Sequence, residues 1–158
     1  MGLRVGLGWD FHRFGEAPPL QLGCVRFEGE RRLAAHSDGD VLAHALADAL
    51  LGAAGLPDIG QNFPDDDERW CGLPGSELLR RVAGLLSEVG AEILSADCVV
   101  ITEHPKVGPR AGQMREALAA ALGLKPGVVT LRGKTREGVV PEGGDGISCL
   151  AVALVSLS

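Results

Sequence analysis

An alanine- and leucine-rich run at residues 41–54 constrains the fold of this chain more than any other segment, because its composition predicts a helix. Asp40, His44 and Asp48 are spaced four residues apart, which places their side chains on one face of that helix. An imidazole between two carboxylates is costly to bury without a partner. This face is therefore either a solvated polar stripe or part of a metal site.

The N-terminal run, residues 3–14, has the alternation of a β-strand, with apolar side chains on one side. Asp10 and His12 fall together on the other side. A separation of two residues on a strand suits two ligands of one metal ion. The alternative interpretation is that Asp10 and His12 form an exposed polar end of the strand.

The same patterns predict the remaining elements. Ser37 or Asp38 is the expected N-cap of the first helix, and Ser76 that of the second. The first strand is expected to form a hairpin with the second. We predict an α+β fold in one domain, residues 1–158, with a single mixed β-sheet covered on one face by helices. The other predicted elements are strands at 20–28, 98–102, 128–131 and 147–157, and helices at 74–89 and 109–122.

Composition excludes several classes of function. The net charge of −6 argues against nucleic acid or an anionic membrane as partner, and no apolar run is long enough to span a bilayer. The start of the chain lacks the pattern of a signal peptide, so we expect a cytoplasmic protein. The four cysteines are far apart and form no Cys-x-x-Cys pair, which disfavours a cysteine zinc site or a redox motif.

Two groups of residues are candidates for chemistry. Asp10, His12 and His44 make a set of two histidines and one carboxylate, which suits a catalytic zinc that keeps one position open. Asp40 or Asp48 could orient His44 through its other ring nitrogen.

The second group is basic and lies at strand ends. The run Arg-Gly-Lys-Thr-Arg at 132–136 and the preceding Lys106 would suit a phosphate group, although solvated surface charge is the simpler explanation for the isolated patch. Glu137 could hold a hard cation such as magnesium between phosphates.

Several motifs together resemble the 2-C-methyl-D-erythritol 2,4-cyclodiphosphate synthases over nearly the whole chain. The motifs are Gly8-Trp-Asp-Phe-His12, the run from Ala35 through His36-Ser-Asp-Gly-Asp40 and His44 to Asp48, Asp58-Ile-Gly60, Phe63-Pro-Asp65 and the final Gly-Asp-Gly-Ile strand.

The resemblance implies a metal-dependent phosphorus–oxygen lyase of the non-mevalonate isoprenoid pathway. Its substrate would be 4-diphosphocytidyl-2-C-methyl-D-erythritol 2-phosphate, and its products the 2,4-cyclodiphosphate and CMP. The family works as a homotrimer with each active site between two subunits. We expect no nucleic-acid or membrane partner.

The resemblance also implies the roles of individual residues. Asp10, His12 and His44 would hold one zinc per subunit, and Glu137 a magnesium or manganese ion that comes with the substrate. His36 and Thr135 would stabilise the charge of the transition state. The residues implied in substrate binding are Asp10, His12, His36, Ser37, Asp58, Ile59, Gly60, Phe63, Asp65, Thr102, Lys106, Val107, Gly108, Lys134, Thr135, Arg136 and Glu137.

One region departs from the family pattern. The usual Phe and Arg after the Thr135–Glu137 segment correspond to Val140 and Gly143 here. That Arg can face the central cavity of the trimer, where some members hold an isoprenoid diphosphate. We therefore predict that farnesyl diphosphate binds weakly or not at all.

Two other functions are compatible with the same residues. A zinc-dependent phosphate or diphosphate hydrolase would use the three ligands to activate water, and would need a general base such as Asp40, Asp48 or Glu137. A non-catalytic ligand-binding trimer would hold a structural zinc, but such sites normally have four protein ligands. The basic run at 132–136 favours a phosphorylated substrate over both.

Overall fold

The structure is a computed structural model that describes residues 2–139 and 145–158. The predictions made at Val140 and Gly143 lie outside the described residues. Strands and helices alternate irregularly along the chain, and short 3-10 turns occur at Glu68–Trp70 and Gly108–Arg110. The strands are β1 Gly2–Arg13, β2 Leu20–Leu22, β3 Val25–Phe27, β4 Ala91–Ile101, β5 Val129–Lys134 and β6 Gly146–Leu157, and the helices are α1 Val41–Ala54, α2 Ile59–Asn62, α3 Gly75–Glu88 and α4 Ala111–Ala121.

Four strands form the main sheet, in the order β1-β6-β4-β5. β4 and β5 are parallel, whereas β6 is antiparallel to both of its neighbours. The prediction of an α+β fold with a mixed sheet is confirmed. β1 and β5 are the two edge strands, and the register aligns Asp10 of β1 with Cys149, Val100 and finally Gly133 of β5.

The predicted hairpin between the first two strands is wrong. β1 pairs along its whole length with β6, and residues 20–28 form a separate two-stranded sheet of β2 and β3. The break comes at Gly23 and Cys24, which both have φ of 60° and form a tight turn between the two short strands. The part of the chain that the structure describes therefore forms two sheets, and the single sheet expected from the sequence is corrected.

Helix α1 covers the inner face of the main sheet. All of its residues except Asp48, Gly52 and Ala54 are buried, as expected for a helix that is apolar on every side. Gly6 and Gly8 of β1 lie directly under it, because a Cβ atom at either position would come within 2 Å of a carbonyl oxygen of α1 (1.9 Å and 1.8 Å).

Within the described ranges, 2–139 and 145–158, no helix covers the outer face of the sheet. Across one row of the register, Gly8, Ala151, Cys98 and Leu131 are all buried toward the helices. Apolar side chains of β1 point the other way and are largely exposed: Leu3, Val5, Leu7 and Trp9. The helices thus cover one face, as predicted, and leave an apolar surface on the other.

β4 begins well before the predicted start at Cys98. The part of β4 before Cys98 carries the polar residues Glu92, Ser95 and Asp97, which hide the apolar pattern on which the prediction depended. The last helix starts later than predicted, because the residues Gly108–Arg110 form a 3-10 turn before α4.

Candidate metal centre and two neighbouring cavities

The structure brings Asp10, His12 and His44 together. Oδ2 of Asp10 lies 3.0 Å from Nε2 of His12 and 3.1 Å from Nδ1 of His44. Asp10 and His12 come from the end of β1, and His44 from the first turn of α1. The ligand atoms of the three side chains all lie within 4.8 Å of one another. The alternation of β1 and the position of His44 on α1 therefore produce one cluster.

This donor set fits a tetrahedral zinc ion. Ligand atoms about 2.0 Å from a tetrahedral zinc are about 3.3 Å apart, close to the distances from Asp10 to the two histidines. The three side chains keep between 11% and 26% of their surface exposed, so the cluster is open on one side. Three protein ligands and an open side are the arrangement of a catalytic zinc site.

The electrostatics of the cluster favour a bound cation. Burial would raise the pKa of Asp10, but the hydrogen bonds with His12 and His44 and their positive charge outweigh it and hold that pKa well below its usual range. Burial likewise acts to lower the pKa of His44, but the hydrogen bond with Asp10 and the nearby carboxylates raise it. Asp10 is therefore an anion at neutral pH.

Asp40 anchors the polar turn that precedes α1. Its carboxylate is fully buried and accepts hydrogen bonds from the backbone N–H groups of Gly23, Cys24 and Ala43, at 2.8, 2.6 and 3.0 Å. Asp40 is therefore the N-cap of α1, in place of the predicted Ser37 or Asp38. The cap is two or three residues later because the carboxylate also holds the β2–β3 turn.

Asp38 plays the corresponding part for α3. Oδ2 of Asp38 accepts a hydrogen bond from the N–H of Gly75 at 2.8 Å, and Oδ1 accepts one from Asp40 at 3.0 Å. The residue before α3 is Pro74, which provides no side-chain cap, so the predicted cap at Ser76 is wrong. A residue far away in sequence supplies the acceptor instead.

Neither Asp40 nor Asp48 bonds to the ring of His44. Asp48 accepts a hydrogen bond from the N–H of Ile59 at 2.9 Å and so fixes the start of α2. The second ring nitrogen of His44, Nε2, lies 3.1 Å from Oγ of Ser37. The expected orienting carboxylate is thus replaced by a serine hydroxyl. Asp40 acts on His44 through its charge, which raises the pKa of the imidazole.

A cavity of about 290 Å³ opens beside the metal cluster. It contains the residues that the family resemblance assigned to the part of the site around the metal cluster, except Asp58. The side chain of Asp58 instead caps α2, by accepting a hydrogen bond from the N–H of Gln61 at 2.9 Å. Four further residues were missed: Ala35, Trp70, Leu73 and Leu78. The predicted residues in the lining are Asp10, His12, His36, Ser37, His44, Ile59, Gly60, Phe63 and Asp65.

Trp70 closes one side of this cavity. Its ring meets that of Phe63 edge to face at 5.2 Å, and the guanidinium of Arg81 lies 5.1 Å from its centre. The sequence signal that could have identified Trp70 is its position just after the Gly-, Pro- and Asp-rich segment that follows α1. Such a polar segment forms no hydrophobic core of its own, so a large aromatic ring there must pack against another part of the molecule.

A second cavity, of about 280 Å³, lies where β4 and β5 end. The N–H of Thr102 donates to the carbonyl oxygen of Lys134 at 3.0 Å, which extends the parallel pairing to this point. Pro105, Pro109 and Gly133 also line the cavity. The predicted residues present in the lining are Thr102, Lys106, Val107, Gly108, Lys134 and Thr135.

Glu137 lies in the turn that follows β5. It has a φ of 52°, in the left-handed region, and its Oε1 accepts a hydrogen bond from the hydroxyl of Thr135 at 2.6 Å. The N–H of Arg136 donates to Glu103 at 2.7 Å, and the Arg136 side chain lines a third cavity, of about 240 Å³, with Phe14 and Asp145. Thr135 alone of these three residues lines the second cavity.

The first two cavities share no lining residue and lie at opposite edges of the sheet. Asp10 on β1 and Gly133 on β5 stand in one row of the register, three strand spacings apart. That separation is about 14 Å, since neighbouring strands lie about 4.8 Å apart. Within one chain the metal cluster and the basic cavity therefore do not merge into one site.

Residues 3–156 match the family model described as the YgbB family. The chain belongs to the YgbB family. A curated relative from Symbiobacterium thermophilum, named 2-C-methyl-D-erythritol 2,4-cyclodiphosphate synthase, is 46% identical over 96% of this chain and 98% of its own length. The family resemblance seen in the sequence is thereby confirmed.

Two further relatives show a longer chain and a bound ligand. A relative from Anaeromyxobacter sp. strain Fw109-5, named bifunctional enzyme IspD/IspF, is 47% identical, and the chain spans 39% of its length. A solved structure of 2C-methyl-D-erythritol-2,4-cyclodiphosphate synthase, described as the bound form with CDP, has a TM-score of 0.88 and 38% identity, covering 97% of this chain and all of that one.

Among residues 2–139 and 145–158, no helix has the length and apolar character needed to cross a bilayer. The cytoplasmic location expected from the sequence stays a prediction.

Proposed function

We propose that this chain converts 4-diphosphocytidyl-2-C-methyl-D-erythritol 2-phosphate into 2-C-methyl-D-erythritol 2,4-cyclodiphosphate and CMP, in the non-mevalonate pathway to isoprenoids. The observation that carries the proposal is the cluster of Asp10, His12 and His44 beside a cavity, in a member of the YgbB family. The relative from Symbiobacterium thermophilum, which this chain matches along nearly the whole of both sequences, is named for this activity.

The reaction is an internal phosphoryl transfer. An oxygen of the 2-phosphate attacks the β-phosphorus of the diphosphate and closes the ring. The bond between the β-phosphorus and the oxygen that bridges to the α-phosphorus breaks, and CMP leaves with that oxygen. The protein provides no nucleophile, so its work is to position the two phosphates and to neutralise their charge.

We propose that Asp10, His12 and His44 hold one zinc ion per subunit, which when bound polarises the β-phosphate as a Lewis acid. His36 and Ser37 stand in the wall of the same cavity and can donate hydrogen bonds to phosphate or hydroxyl oxygens. Gly60 and Ile59, whose N–H is held by Asp48, line the same cavity and are proposed to enclose the erythritol part.

The second cavity is proposed to bind the cytidine diphosphate part. Lys106 and Lys134 bring positive charge to its lining, and Thr135 brings a hydroxyl group that can stabilise the charge of the transition state. Glu137 is proposed to bind the magnesium or manganese ion that accompanies the diphosphate. The CDP-bound structure of a relative supports a cytidine nucleotide as ligand.

We further propose a homotrimer in which the metal half of each active site comes from one subunit and the cytidine half from its neighbour. Two observations support this arrangement. The two cavities lie at opposite edges of one sheet, too far apart to act as one site within a chain. The outer face of the sheet exposes Leu3, Val5, Leu7 and Trp9, a patch of the kind that marks protein interfaces.

The hydrolase alternative has little support in the geometry. Asp40, one of its candidate bases, is fully buried and bound to three N–H groups, and Asp48 is bound to Ile59. Glu137, the third candidate base, is proposed instead to bind the second cation, and its Oε1 accepts a hydrogen bond from the hydroxyl of Thr135. The structural-zinc alternative lacks a fourth ligand, because the described residues contribute only three to the cluster.

The proposal is tested by assaying CMP release and recording the phosphorus NMR spectrum of the other product. Enzyme stripped with a chelator should be inactive, and zinc together with magnesium should restore formation of the cyclic diphosphate. His44→Ala should lose zinc and activity together, whereas His104→Ala, which changes an exposed histidine outside the cluster, should keep both. A linear product would favour the hydrolase, and zinc binding without CMP release would favour the non-catalytic protein.

A further inference from the structure

Ser37 makes the hydrogen bond to His44 that was expected of a carboxylate. Its Oγ lies 3.1 Å from Nε2 of His44 and also accepts a hydrogen bond from the N–H of Gly39 at 3.1 Å. The other ring nitrogen of His44, Nδ1, faces Oδ2 of Asp10. Ser37 is half-buried, and His44 is buried. Both nitrogens of the imidazole therefore have a defined partner.

We infer that Ser37 is a positioning residue for the metal ligand His44, and that it contributes to the affinity for the metal. The inference rests on the proposed function for the identity of the metal and of the ligand. It adds a role for Ser37 beyond the contact with substrate that the family resemblance implies.

The hydrogen-bond donors and acceptors of Ser37 and His44 lead to this positioning role. A histidine that binds a cation through Nδ1 must present the lone pair of Nδ1, so its one ring proton is on Nε2. Nε2–H then donates to Oγ of Ser37. This bond sets both the tautomer and the orientation of the ring, as second-shell partners of metal ligands do.

In this arrangement the hydroxyl proton of Ser37 is available for a further hydrogen bond. Its oxygen accepts from Gly39 and from His44, so both of its lone pairs are used. The hydroxyl proton stays available, and Ser37 lies in the wall of the cavity next to the metal cluster. A phosphate or hydroxyl oxygen of a ligand can accept it. Donating that proton makes the serine oxygen a better acceptor for His44, because hydrogen bonds in a chain polarise one another.

Zinc affinity is the measurement that separates this role from simple substrate binding. It is determined by competition with a chromophoric chelator, without substrate, for the wild type and for Ser37→Ala, Ser37→Thr and Asp65→Asn. Ser37→Ala should weaken zinc binding by about 10- to 100-fold, the usual effect of removing a second-shell partner. Ser37→Thr keeps the hydroxyl oxygen and should restore affinity to within about threefold of the wild type.

Asp65→Asn is the matched control, because Asp65 lines the same cavity and makes no hydrogen bond to the three ligands. It should raise the KM and leave zinc affinity unchanged. If Ser37→Ala behaves like Asp65→Asn, with a raised KM and the zinc affinity of the wild type, Ser37 only binds substrate and the inference is overturned.

A second measurement needs no variant and so does not depend on the folding of Ser37→Ala. Long-range proton–nitrogen NMR spectra of the zinc-loaded wild type report which nitrogen of His44 is protonated. A proton on Nε2 is expected, and a proton on Nδ1 would overturn the inference. These readouts require no turnover, so a wild type that binds zinc with the expected tautomer but releases no CMP would refute the proposed function alone.

Discussion

Gly8 of β1 lies directly against Ala45 of α1, where a Cβ atom on the glycine would be 1.8 Å from the carbonyl oxygen of the alanine. Gly8 is two residues before Asp10, and Ala45 directly follows His44. The contact between this strand and this helix therefore sets the distance between two of the three metal ligands. A glycine on the strand is required because no side chain fits between the two backbones.

Gly8→Ala should push α1 away from β1. We expect a loss of about 3 kcal/mol in the free energy of unfolding, at the upper end for overpacked cores, since the clash is with backbone atoms that cannot rotate away. Zinc content should fall with it. Chemical denaturation and metal analysis measure the two effects. Gly2→Ala is the control, because a Cβ at Gly2 meets nothing within 4 Å, and an equal loss in both variants would contradict the packing argument.

Asp40→Ala should be strongly destabilising. Three N–H groups, those of Gly23, Cys24 and Ala43, would lose a buried acceptor, and each such loss costs about 1–3 kcal/mol, so roughly 3 kcal/mol or more is expected. Urea denaturation provides the test. Glu28→Ala removes only an exposed ion pair with Arg26 and should change stability by about 0.5 kcal/mol or less.

The proposed division of the active site between subunits predicts complementation. Neither His44→Ala nor Lys134→Ala should be active alone, because each lacks one half of every site. When the two are unfolded together and reassembled in equal amounts, about a quarter of the sites should contain both intact halves. CMP release measures the recovered activity. A mixture of His44→Ala and Asp10→Ala, both altered in the metal half, should recover none, and equal behaviour of the two mixtures would contradict the shared site.

Glu137→Gln should distinguish the role of magnesium from that of zinc. The exchange removes a negative charge from the proposed ligand of the second cation, so the magnesium concentration for half-maximal activity should rise by about tenfold or more. Zinc content should not change, because Glu137 is not part of the cluster of Asp10, His12 and His44. Titration of activity with magnesium, and metal analysis, give the two readouts. Glu116→Gln, an exposed change on α4, should leave the magnesium response as it is.

Each half of the metal cluster could be predicted from the sequence because its geometry is local. The alternation of β1 places Asp10 and His12 on one side, and the four-residue spacing places His44 on one face of α1. Only the family resemblance indicated that the two halves meet, because Asp10 and His44 are 34 residues apart. The α+β class followed from the same two periodicities. Both inferences depend on a few residues around each side chain.

The partners of Asp40, Asp38 and Asp48 could not be predicted, because each is far away in sequence. Asp40 holds the turn at Gly23, and Asp38 holds Gly75, so the caps of α1 and α3 depend on tertiary contacts. The hairpin was misassigned for the same reason. Nothing local to β1 distinguishes the nearby strand at 20–28 from β6, which is distant in sequence and pairs along the whole of β1.

The central claim, cyclisation without water, is tested most directly by running the reaction to completion in water enriched in oxygen-18. In the cyclase, an oxygen of the 2-phosphate attacks the β-phosphorus, and CMP keeps the oxygen of the broken bond. Mass spectrometry should therefore find no oxygen-18 in CMP or in the cyclic diphosphate. One atom of oxygen-18 in CMP, or in a linear bisphosphate formed in place of the cyclic diphosphate, would show that water attacks phosphorus, and would contradict the account.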